Sequence, residues 1–164
     1  MPLHIKKLSE EDFEVFFSLI VALADYEHLA PPDLDAKARL KHDAFSTHPK
    51  FEAYLAFLDG APVGYAIIFE TYSSFLAKPT LYLEDLFVLP SARKQKVGFG
   101  LFKFLIALAV ERGCGRMEWQ VLNWNQLAIE FYERLGATRQ QDWLPYRLTE
   151  EALSGLHRRF IALP

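Results

Sequence analysis

Two acidic side chains inside an apolar segment are the first residues of this sequence that could perform proton chemistry. Glu84 and Asp85 interrupt the segment 81–88, which reads LYLEDLFV. An unpaired carboxylate in apolar surroundings is costly, and burial raises its pKa, which makes it a better general base near neutral pH. Since adjacent strand residues point to opposite faces, we expect one acid to face a cleft and the other to face away. The competing interpretation is structural, with one acid paired to a basic side chain or capping a loop.

A basic loop with glycines follows the acidic segment. Arg93, Lys94 and Lys96 come just before Gly98 and Gly100. A helix that begins here offers unpaired backbone N–H groups and a partial positive charge, and glycines let the backbone approach a phosphate closely. The loop lacks the G-K-[ST] of a nucleoside triphosphatase, and a lysine stands where a dinucleotide-binding fingerprint needs its last glycine. Together, loop and acids predict one site for a phosphate-bearing cofactor and a cationic or proton-losing substrate.

Composition and charge limit the classes of function. The chain has 164 residues, of which 51% are hydrophobic, and a net charge of −3. These values fit one folded domain over residues 1–164 and argue against a nucleic-acid partner, which needs a basic face. No apolar run approaches the roughly 20 residues of a membrane span, and the N-terminal segment lacks a signal-peptide core. We therefore expect a cytoplasmic protein without a membrane partner.

The cysteine and the histidines indicate neither a disulfide nor a metal site. Cys114 is the single cysteine, so an intramolecular disulfide is excluded. It fits a small packed residue at a helix end, with a reactive thiol as the alternative. The five histidines are scattered without the spacing of metal ligands, and we expect no metal.

The spacing of apolar residues predicts the elements that must position these groups. Strands are expected at 4–8, 51–58, 62–72, 81–88, 116–122, 143–148 and 159–163. Helices are expected from the N-cap Ser9 to about 26–28, at 35–45, from Gly98 to about 112, at 126–135, and shortly after Thr149. Segment 73–80 is expected to be a loop, and Gly64 indicates a bulge or close packing inside its strand. The order of elements predicts a mixed α/β domain with at least one right-handed crossover.

Two tyrosines have ordinary structural interpretations on periodicity alone. Tyr26 and Glu27 end the first helix, as solvated residues often do. Tyr132 follows Phe131 in a short amphipathic helix, where a tyrosine more often packs in the core than takes part in catalysis. Asn125 precedes this helix and is a good N-cap.

Two motifs at this spacing resemble the GNAT superfamily of N-acetyltransferases. The first is LYLEDLFVLPSAR with a later V-G, over residues 81–98, and the second is N-W-N-Q-x-A-I-x-F-Y-E-R-L-G-A, over residues 123–137. An A-x-Y-E at residues 24–27 adds to them. Within the superfamily, the chain resembles the diamine (spermidine/spermine) and thialysine acetyltransferase branch, from Ile5 to about Leu148.

The resemblance implies a fold and an activity. The fold would be a mixed, mostly antiparallel central sheet flanked by helices, whose fourth and fifth strands splay apart to admit acetyl-CoA. The activity would be transfer of the acetyl group to a primary amine of a small cationic acceptor, such as a diamine, a polyamine or a lysine-like molecule, by direct attack. A homodimer is also implied. The alternative is a catalytically weak acyl-CoA-binding sensor or interaction module, suggested by a lysine in the glycine loop.

The resemblance also implies roles for individual residues. Glu84 would accept the proton of the substrate ammonium, directly or through water, while Asp85 would be structural. Tyr132 would donate a proton to the departing CoA thiolate. Tyr26 and Glu27 would bind the cationic substrate together with Glu84. The residues implied in acetyl-CoA binding are Leu86, Phe87 and Val88 beside the acetyl and pantetheine arm, Arg93, Lys94, Gln95, Lys96, Val97, Gly98 and Phe99 around the pyrophosphate, and Asn125 and Ala128 at the following helix.

The chain departs from this family in two places. The family's loop is usually R/Q-x-x-G-x-G/A, and two registers fit it here. The register from Arg93 to Gly98 needs no insertion but puts Lys96 at the first glycine, whereas the register from Gln95 to Gly100 starts two residues late. We prefer the first. Segment 73–80 aligns poorly with the diamine enzymes, so polyamine specificity is not implied.

Overall fold

A computed structural model describes residues 2–162 of the chain. These residues form two compact units, 2–120 and 121–162. The strands of the first unit are β1 (Leu3–Lys7), β2 (Glu52–Leu58), β3 (Ala61–Ser73), β4 (Lys78–Val88) and β5 (Arg116–Trp119). Its helices are α1 (Phe13–Tyr26), α2 (Leu34–Phe45) and α3 (Val97–Glu111), and the second unit contributes α4 (Gln126–Arg134) and α5 (Glu150–Ile161).

The five strands form one mixed sheet in the order β1-β2-β3-β4-β5. The first four strands are antiparallel neighbours, while β5 returns through α3 and pairs parallel to β4. The ladder between β4 and β5 ends at Leu83 and Trp119, although β4 continues to Val88. The predicted mixed, mostly antiparallel sheet is confirmed, and β4 runs on without β5 beside it over its last five residues.

Helices cover both faces of this sheet. On one face, Phe16 of α1 packs edge-on against Tyr65 of β3, with ring centroids 5.3 Å apart. On the other face, Phe104 of α3 packs against Tyr54 of β2 at 4.9 Å. Successive side chains along each strand point to opposite faces of the sheet, as strand geometry requires. The α1 face therefore carries the aromatic core around Phe13, Phe16 and Tyr65.

Close packing explains the glycine in β3. A Cβ on Gly64 would lie 2.5 Å from the carbonyl oxygen of Phe87, so no larger residue fits without a backbone shift. The pairing of β2 with β3 also shifts beside this glycine, between Ala56 and Phe57. Both predicted interpretations of Gly64 are thus realised, and they bring β3 close to the end of β4.

Two boundaries in the first unit differ from the prediction. Segment 73–80 is not all loop, because Ser73 pairs with Lys78 and β4 begins there. Thr80 in this segment is fully buried. The fifth strand ends at Trp119 instead of residue 122, so the chain leaves the sheet early.

Two strands predicted near the C-terminus are wrong. Residues 143–148 have no strand pairing, and 159–161 belong to the last turn of α5, while Leu163 lies outside the described residues. Thr149 caps α5 by accepting a hydrogen bond from the amide of Ala152 at 3.2 Å. Acidic residues in its first turn and arginines in its last turn complement the helix dipole. The cap and these charges favour a helix more strongly than the apolar run favours a strand.

No helix among residues 2–162 is long and apolar enough to cross a membrane.

Candidate active site

A β-bulge lies at the acidic pair of β4. Ile67 of β3 pairs with Asp85 and Ile68 pairs with Leu83, so Glu84 is an extra residue without a counterpart. A bulge of this kind disturbs the strict alternation of side chains. The prediction that Glu84 and Asp85 face opposite ways is therefore wrong, because both line one cavity on the α1 face.

This cavity has a volume of about 380 Å³. Its walls are mostly apolar and come from α1, α2, β3, β4 and the segments that lead into α2 and β2, and all of its lining lies in the first unit. The lining residues are Ile20, Pro32, Ala36, Leu40, Lys50, Phe51, Ile67, Phe69, Glu84 and Asp85. An apolar pocket with a few convergent charged groups is the usual form of a small-molecule site.

The two carboxylates differ in their surroundings. Glu84 is exposed, whereas Asp85 is half-buried and accepts a hydrogen bond from the Tyr65 hydroxyl at 3.1 Å. Burial raises the pKa of Asp85 to about 6, and the negative charges of Glu84 and Glu27 act in the same direction. The hydrogen bond from Tyr65 opposes this shift. Asp85 is thus the acid whose pKa approaches neutrality.

Tyr65 is the site residue that the sequence did not indicate. Its ring is fully buried in the core, while its hydroxyl reaches Asp85. Burial, followed by the charge of Asp85, raises the pKa of Tyr65 well above its ordinary value, so the hydroxyl stays a donor. A tyrosine in the period-two pattern of β3 looks like a core residue. Only the pairing of Ile67 with Asp85 brings the two residues close, and no local signal reveals it.

The end of α1 contacts the basic loop. The Arg93 guanidinium lies over the Tyr26 ring, 4.4 Å from its centroid, and Nε of Arg93 donates to the Val88 carbonyl at 3.3 Å. The Tyr26 ring is also 6.3 Å from that of Phe87. Burial raises the pKa of the neighbouring Glu27. Arg93 therefore ties the predicted substrate-binding helix end to the end of β4 and the start of the loop.

Positive backbone angles shape the basic loop. Lys94 and Lys96 have φ angles of 64° and 62°, in the left-handed region that glycine adopts most readily. Lys96 is the N-cap of α3. A glycine at this position in the resembling enzymes would satisfy the same backbone need, which the lysine meets at a conformational cost of about 1 kcal/mol.

The two glycines of the loop have different surroundings. A Cβ on Gly98 would make ordinary contacts with Val88 and Leu86, at 3.8 and 4.0 Å. A Cβ on Gly100 would clash with Cδ2 of Leu3, so this glycine lies against β1. The amide of Gly100 already bonds the Lys96 carbonyl at 2.9 Å. The amides that precede this first helical bond belong to residues 97–99.

The other predicted cofactor residues of the first unit lie along the same edge. Leu86 and Val88 point toward the start of α3, while Phe87 is buried on the α1 face. Val97 is buried, Phe99 is exposed, and Nε2 of the Gln95 side chain donates to the Ser91 carbonyl at 3.4 Å.

The second unit carries Tyr132. It lies in the last part of α4, and burial raises its pKa to about 12, so the phenol holds its proton at neutral pH. The ring of Phe131 packs edge-on against it at 5.3 Å. As predicted, Asn125 caps α4, accepting a hydrogen bond from the amide of Ala128 at 3.3 Å.

The acids, the histidines and the single cysteine are the remaining groups that could perform metal or thiol chemistry. Residues 2–162 contain no group of three or more histidine, cysteine, aspartate or glutamate side chains that could hold a metal ion. Cys114 is half-buried, and burial raises the pKa of its thiol. A thiol with a raised pKa is a poor nucleophile, which favours the interpretation as a packed residue.

Comparison with known proteins identifies the family of this chain. Residues 9–137 match the acetyltransferase (GNAT) family. The thialysine N-epsilon-acetyltransferase of Mus musculus is 31% identical over 166 residues, covering 94% of this chain and 97% of the relative. An L-ornithine N5-acetyltransferase of Arabidopsis thaliana is 39% identical over 100 residues, covering 61% of this chain and 44% of the relative.

A solved structure has the same architecture. It is an integron cassette protein from the mobile metagenome of V. cholerae, with a TM-score of 0.84 and 26% identity. The match covers 96% of this chain and 99% of the other. The chain belongs to the GNAT acetyltransferase family. It is an N-acetyltransferase, an enzyme that transfers acetyl groups to amines, and enzymes of this family use acetyl-CoA.

Proposed function

We propose that this enzyme moves the acetyl group of acetyl-CoA to a primary amine of a small cationic acceptor bound in the cavity beside β4. The observation that carries the proposal is the bulge, which turns two carboxylates into one apolar cavity at the point where β4 continues past β5. Anionic groups in an apolar pocket favour a cationic guest. Relatives named for thialysine and for ornithine, which are both amines, support this acceptor class.

The basic loop would hold the pyrophosphate of acetyl-CoA. Its support is the start of α3, where amides of residues 97–99 precede the first helical bond, and the adjacent ammonium groups of Lys94 and Lys96. Backbone amides and the helix dipole favour a phosphate here, and lysines strengthen such contacts. The arm of the cofactor would then run beside Leu86 and Val88. Asn125 and Ala128 would contribute from the start of α4.

The chemical step would be direct attack. The ammonium of the acceptor gives a proton to Glu84, directly or through water, and the free amine attacks the thioester carbon. The developing oxyanion is stabilised by backbone N–H groups at the bulge. The carbon–sulfur bond then breaks, and the thiolate takes a proton from the Tyr132 phenol. The nitrogen of the new amide gives its second proton to the Tyr132 oxygen, directly or through water. The products are the N-acetylated amine, free CoA and one proton, which Glu84 releases to solvent.

Asp85 would assist in a different way. Its carboxyl is held by the Tyr65 hydroxyl, and its pKa of about 6 leaves it mostly ionised at neutral pH. We assign it, with Glu27 and Tyr26, to binding of the acceptor cation. The raised pKa also makes Asp85 the alternative to Glu84 as proton acceptor. If Glu84 is the acceptor, Glu84→Gln should lose turnover, and if Asp85 is the acceptor, Asp85→Asn should lose it.

Thiol release from acetyl-CoA across a panel of amines tests the function. We expect turnover with the parent enzyme and a loss of about 10²-fold or more in kcat for Glu84→Gln and for Tyr132→Phe. Glu118→Gln, which removes an acid of an exposed ion pair on β5, is the matched control and should keep full activity. Unchanged rates in both site variants would refute the assigned roles.

The same variants separate the remaining alternatives. If Asp85→Asn loses the acidic limb of the pH–rate profile, where the rate rises as the proton acceptor ionises, and Glu84→Gln keeps it, Asp85 is the proton acceptor. Tight CoA binding by calorimetry, without transfer to any amine, would favour the acyl-CoA sensor. Failure to bind CoA would reject both proposals.

The homodimer and the cytoplasmic location stay predictions. Light scattering after size exclusion would give the mass in solution, for which we expect twice the 18.9 kDa of one chain. A monomer at micromolar concentration would contradict the dimer. Fractionation of the source cells would test the location.

A further inference from the structure

The cavity is lined by charges of opposite sign that come from different parts of the sheet. Glu84 and Asp85 lie on β4, and Lys50 lines the cavity where the chain enters β2. The wall between them is apolar, with Phe51 and Ile67 on the sheet. This arrangement fits a guest with an ammonium at one end, an anion at the other and an aliphatic middle.

Lys50 is available for such an anion. Its side chain is exposed, and none of the ion pairs between residues 2 and 162 includes it. Its backbone is fixed, because its amide donates to the Asp43 carbonyl at 3.0 Å at the end of α2. The lysine therefore supplies a tethered cation at the cavity that the ion pairs of the fold do not use.

The spacing suits a small amino acid. β2 and β4 are separated by one strand, so their axes lie about 10 Å apart at the usual strand spacing. The register also sets Lys50 three residues, or about 10 Å along the strands, before the level of Asp85, so the two backbones are about 14 Å apart. An extended lysine-like molecule spans about 6–7 Å from its side-chain nitrogen to its carboxylate at ordinary bond lengths. The side chains of Lys50 and of the acids cover the remainder. A polyamine of the same length would instead bring a second ammonium toward Lys50.

We propose that Lys50 recognises the carboxylate of the acceptor, so that the enzyme prefers a lysine-like amino acid to the corresponding diamine. This inference rests on the proposed function, since it assigns one end of the same acceptor cavity. An ammonium–carboxylate contact favours the amino acid, and like-charge repulsion disfavours the diamine. Lys50 is then a specificity-determining residue, and the proton and acetyl transfers remain with the residues assigned above.

Matched acceptors give the sharpest test. L-Lysine and cadaverine differ by one carboxylate, as do L-ornithine and putrescine. The measurement is kcat/KM for each member of a pair with the parent enzyme, Lys50→Gln and Lys50→Glu, with mass spectrometry of the product to identify the acetylated nitrogen. Lys103→Gln is the control, because it removes an exposed lysine from α3, on the other face of the sheet.

We expect the parent and the control to prefer the amino acid. Lys50→Gln should lower kcat/KM for the amino acid about tenfold, mainly through KM, and Lys50→Glu should reverse the preference toward the diamine. Amines acetylated with the same acceptor ratio in the parent and in Lys50→Glu would overturn this inference and leave the proposed function standing. A parent enzyme that acetylates no amine would refute the proposed function, and the inference with it.

Discussion

Asp85 is an acid whose protonated form the fold favours. Its pKa is about 6 in the protein, compared with about 3.9 in an unfolded chain. The stability contributed by the protonated carboxyl is therefore fully present below about pH 4 and is lost as the pH rises through about 6. We expect Asp85→Asn, which keeps a polar partner for Tyr65, to be more stable than the parent at pH 7 by about 2 kcal/mol. Its advantage should vanish below pH 4.

Urea unfolding between pH 3.5 and 7.5 measures this difference. Tyr65→Phe is an informative companion, because the Tyr65 hydrogen bond lowers the pKa of Asp85. Without that bond, the carboxyl should titrate at a higher pH. A stability difference between the parent and Asp85→Asn that does not change with pH would contradict the placement of this carboxyl in buried surroundings.

Lys96 adopts a backbone conformation that suits glycine. Its φ of 62° predicts that Lys96→Gly is more stable than Lys96→Ala by about 1 kcal/mol, although both variants lose the ammonium. The exposed helical position Lys103 is the control, where Ala should exceed Gly by about 0.5–1 kcal/mol. Chemical denaturation of the four variants shows whether Gly or Ala is more stable at each position. If Ala is more stable than Gly at both positions, the backbone strain at Lys96 is refuted.

At the residue scale, the sequence identified the two acids of the site and missed the residues that surround them. Glu84 and Asp85 could be found because acids are rare in an apolar strand. Tyr65 and Lys50 could not, since Tyr65 reaches Asp85, and Lys50 reaches the cavity, from parts of the chain distant in sequence. Whether a tyrosine hydroxyl in a core pattern meets a carboxylate depends on strand register, which single residues do not encode.

An ion-pair cluster holds the end of α3 to the sheet. Nη1 and Nη2 of Arg112 donate to the two carboxylate oxygens of Glu52 at 2.6 and 3.0 Å, and Nη1 also contacts Glu70 at 3.2 Å. Lys7 of β1 reaches the same Glu52 at 3.0 Å. The pair is three-quarters buried, and bidentate geometry makes it stronger than an ordinary surface pair. The cluster thus joins one helix to three strands.

Removing this arginine should destabilise the enzyme. We expect Arg112→Met to lower the free energy of unfolding by about 1–2 kcal/mol at pH 7, between the values for surface and buried pairs. Arg112 holds the pKa of Glu52 at about 2, so the contribution is present above about pH 4.5 and is lost as the pH falls toward 2. The gap between the variant and the parent should narrow over that range.

The exposed pair on β5 provides the comparison. Arg116 and Glu118 lie 3.0 Å apart with both side chains more than a third exposed. Arg116→Met should change stability by less than about 0.5 kcal/mol. Thermal or urea unfolding of both variants measures the difference, and an equal loss in the two would show that burial and bidentate geometry have no effect here.

Among the elements, helix caps were more informative than apolar runs. Ser9, Asn125 and Thr149 each precede a helical segment, as the sequence indicated. The strands predicted at 143–148 and 159–163 rested on apolar residues alone. A short apolar run suits a strand, a helix or an irregular segment equally well, and the cap at Thr149 decided the second case.

Cofactor binding should stabilise the whole molecule. If acetyl-CoA binds only the native state, a concentration of 100 times Kd adds about 2.7 kcal/mol, or about 5–10 °C in Tm for a chain of this size. S-acetylpantetheine carries the thioester arm without the pyrophosphate and should give a much smaller shift. Differential scanning fluorimetry measures both. Equal shifts from the two ligands would contradict a pyrophosphate site at the loop.

The fold of the whole chain was predictable from family membership, whereas the boundaries of its elements were not. Motifs spread over residues 24–137 identified the family, and the family determines the mixed sheet and its strand order. The boundaries depend on local competition, such as the early end of β5 and the extension of β4 into 78–80, and family membership leaves these open.

The bulge at Glu84 offsets the alternation of side chains along β4 by one residue. Tyr82 and Leu83 occupy opposite faces, and so do Asp85 and Leu86; with Glu84 removed, the four would alternate without interruption. One inserted residue therefore adds a carboxylate and leaves the facing of both halves of β4 intact. Deletion of Glu84 should yield a regular strand that keeps Phe87 in the core, whereas an inserted residue elsewhere in β4 would invert half of it. The acidic feature of this site is thus separable from the sheet that carries it.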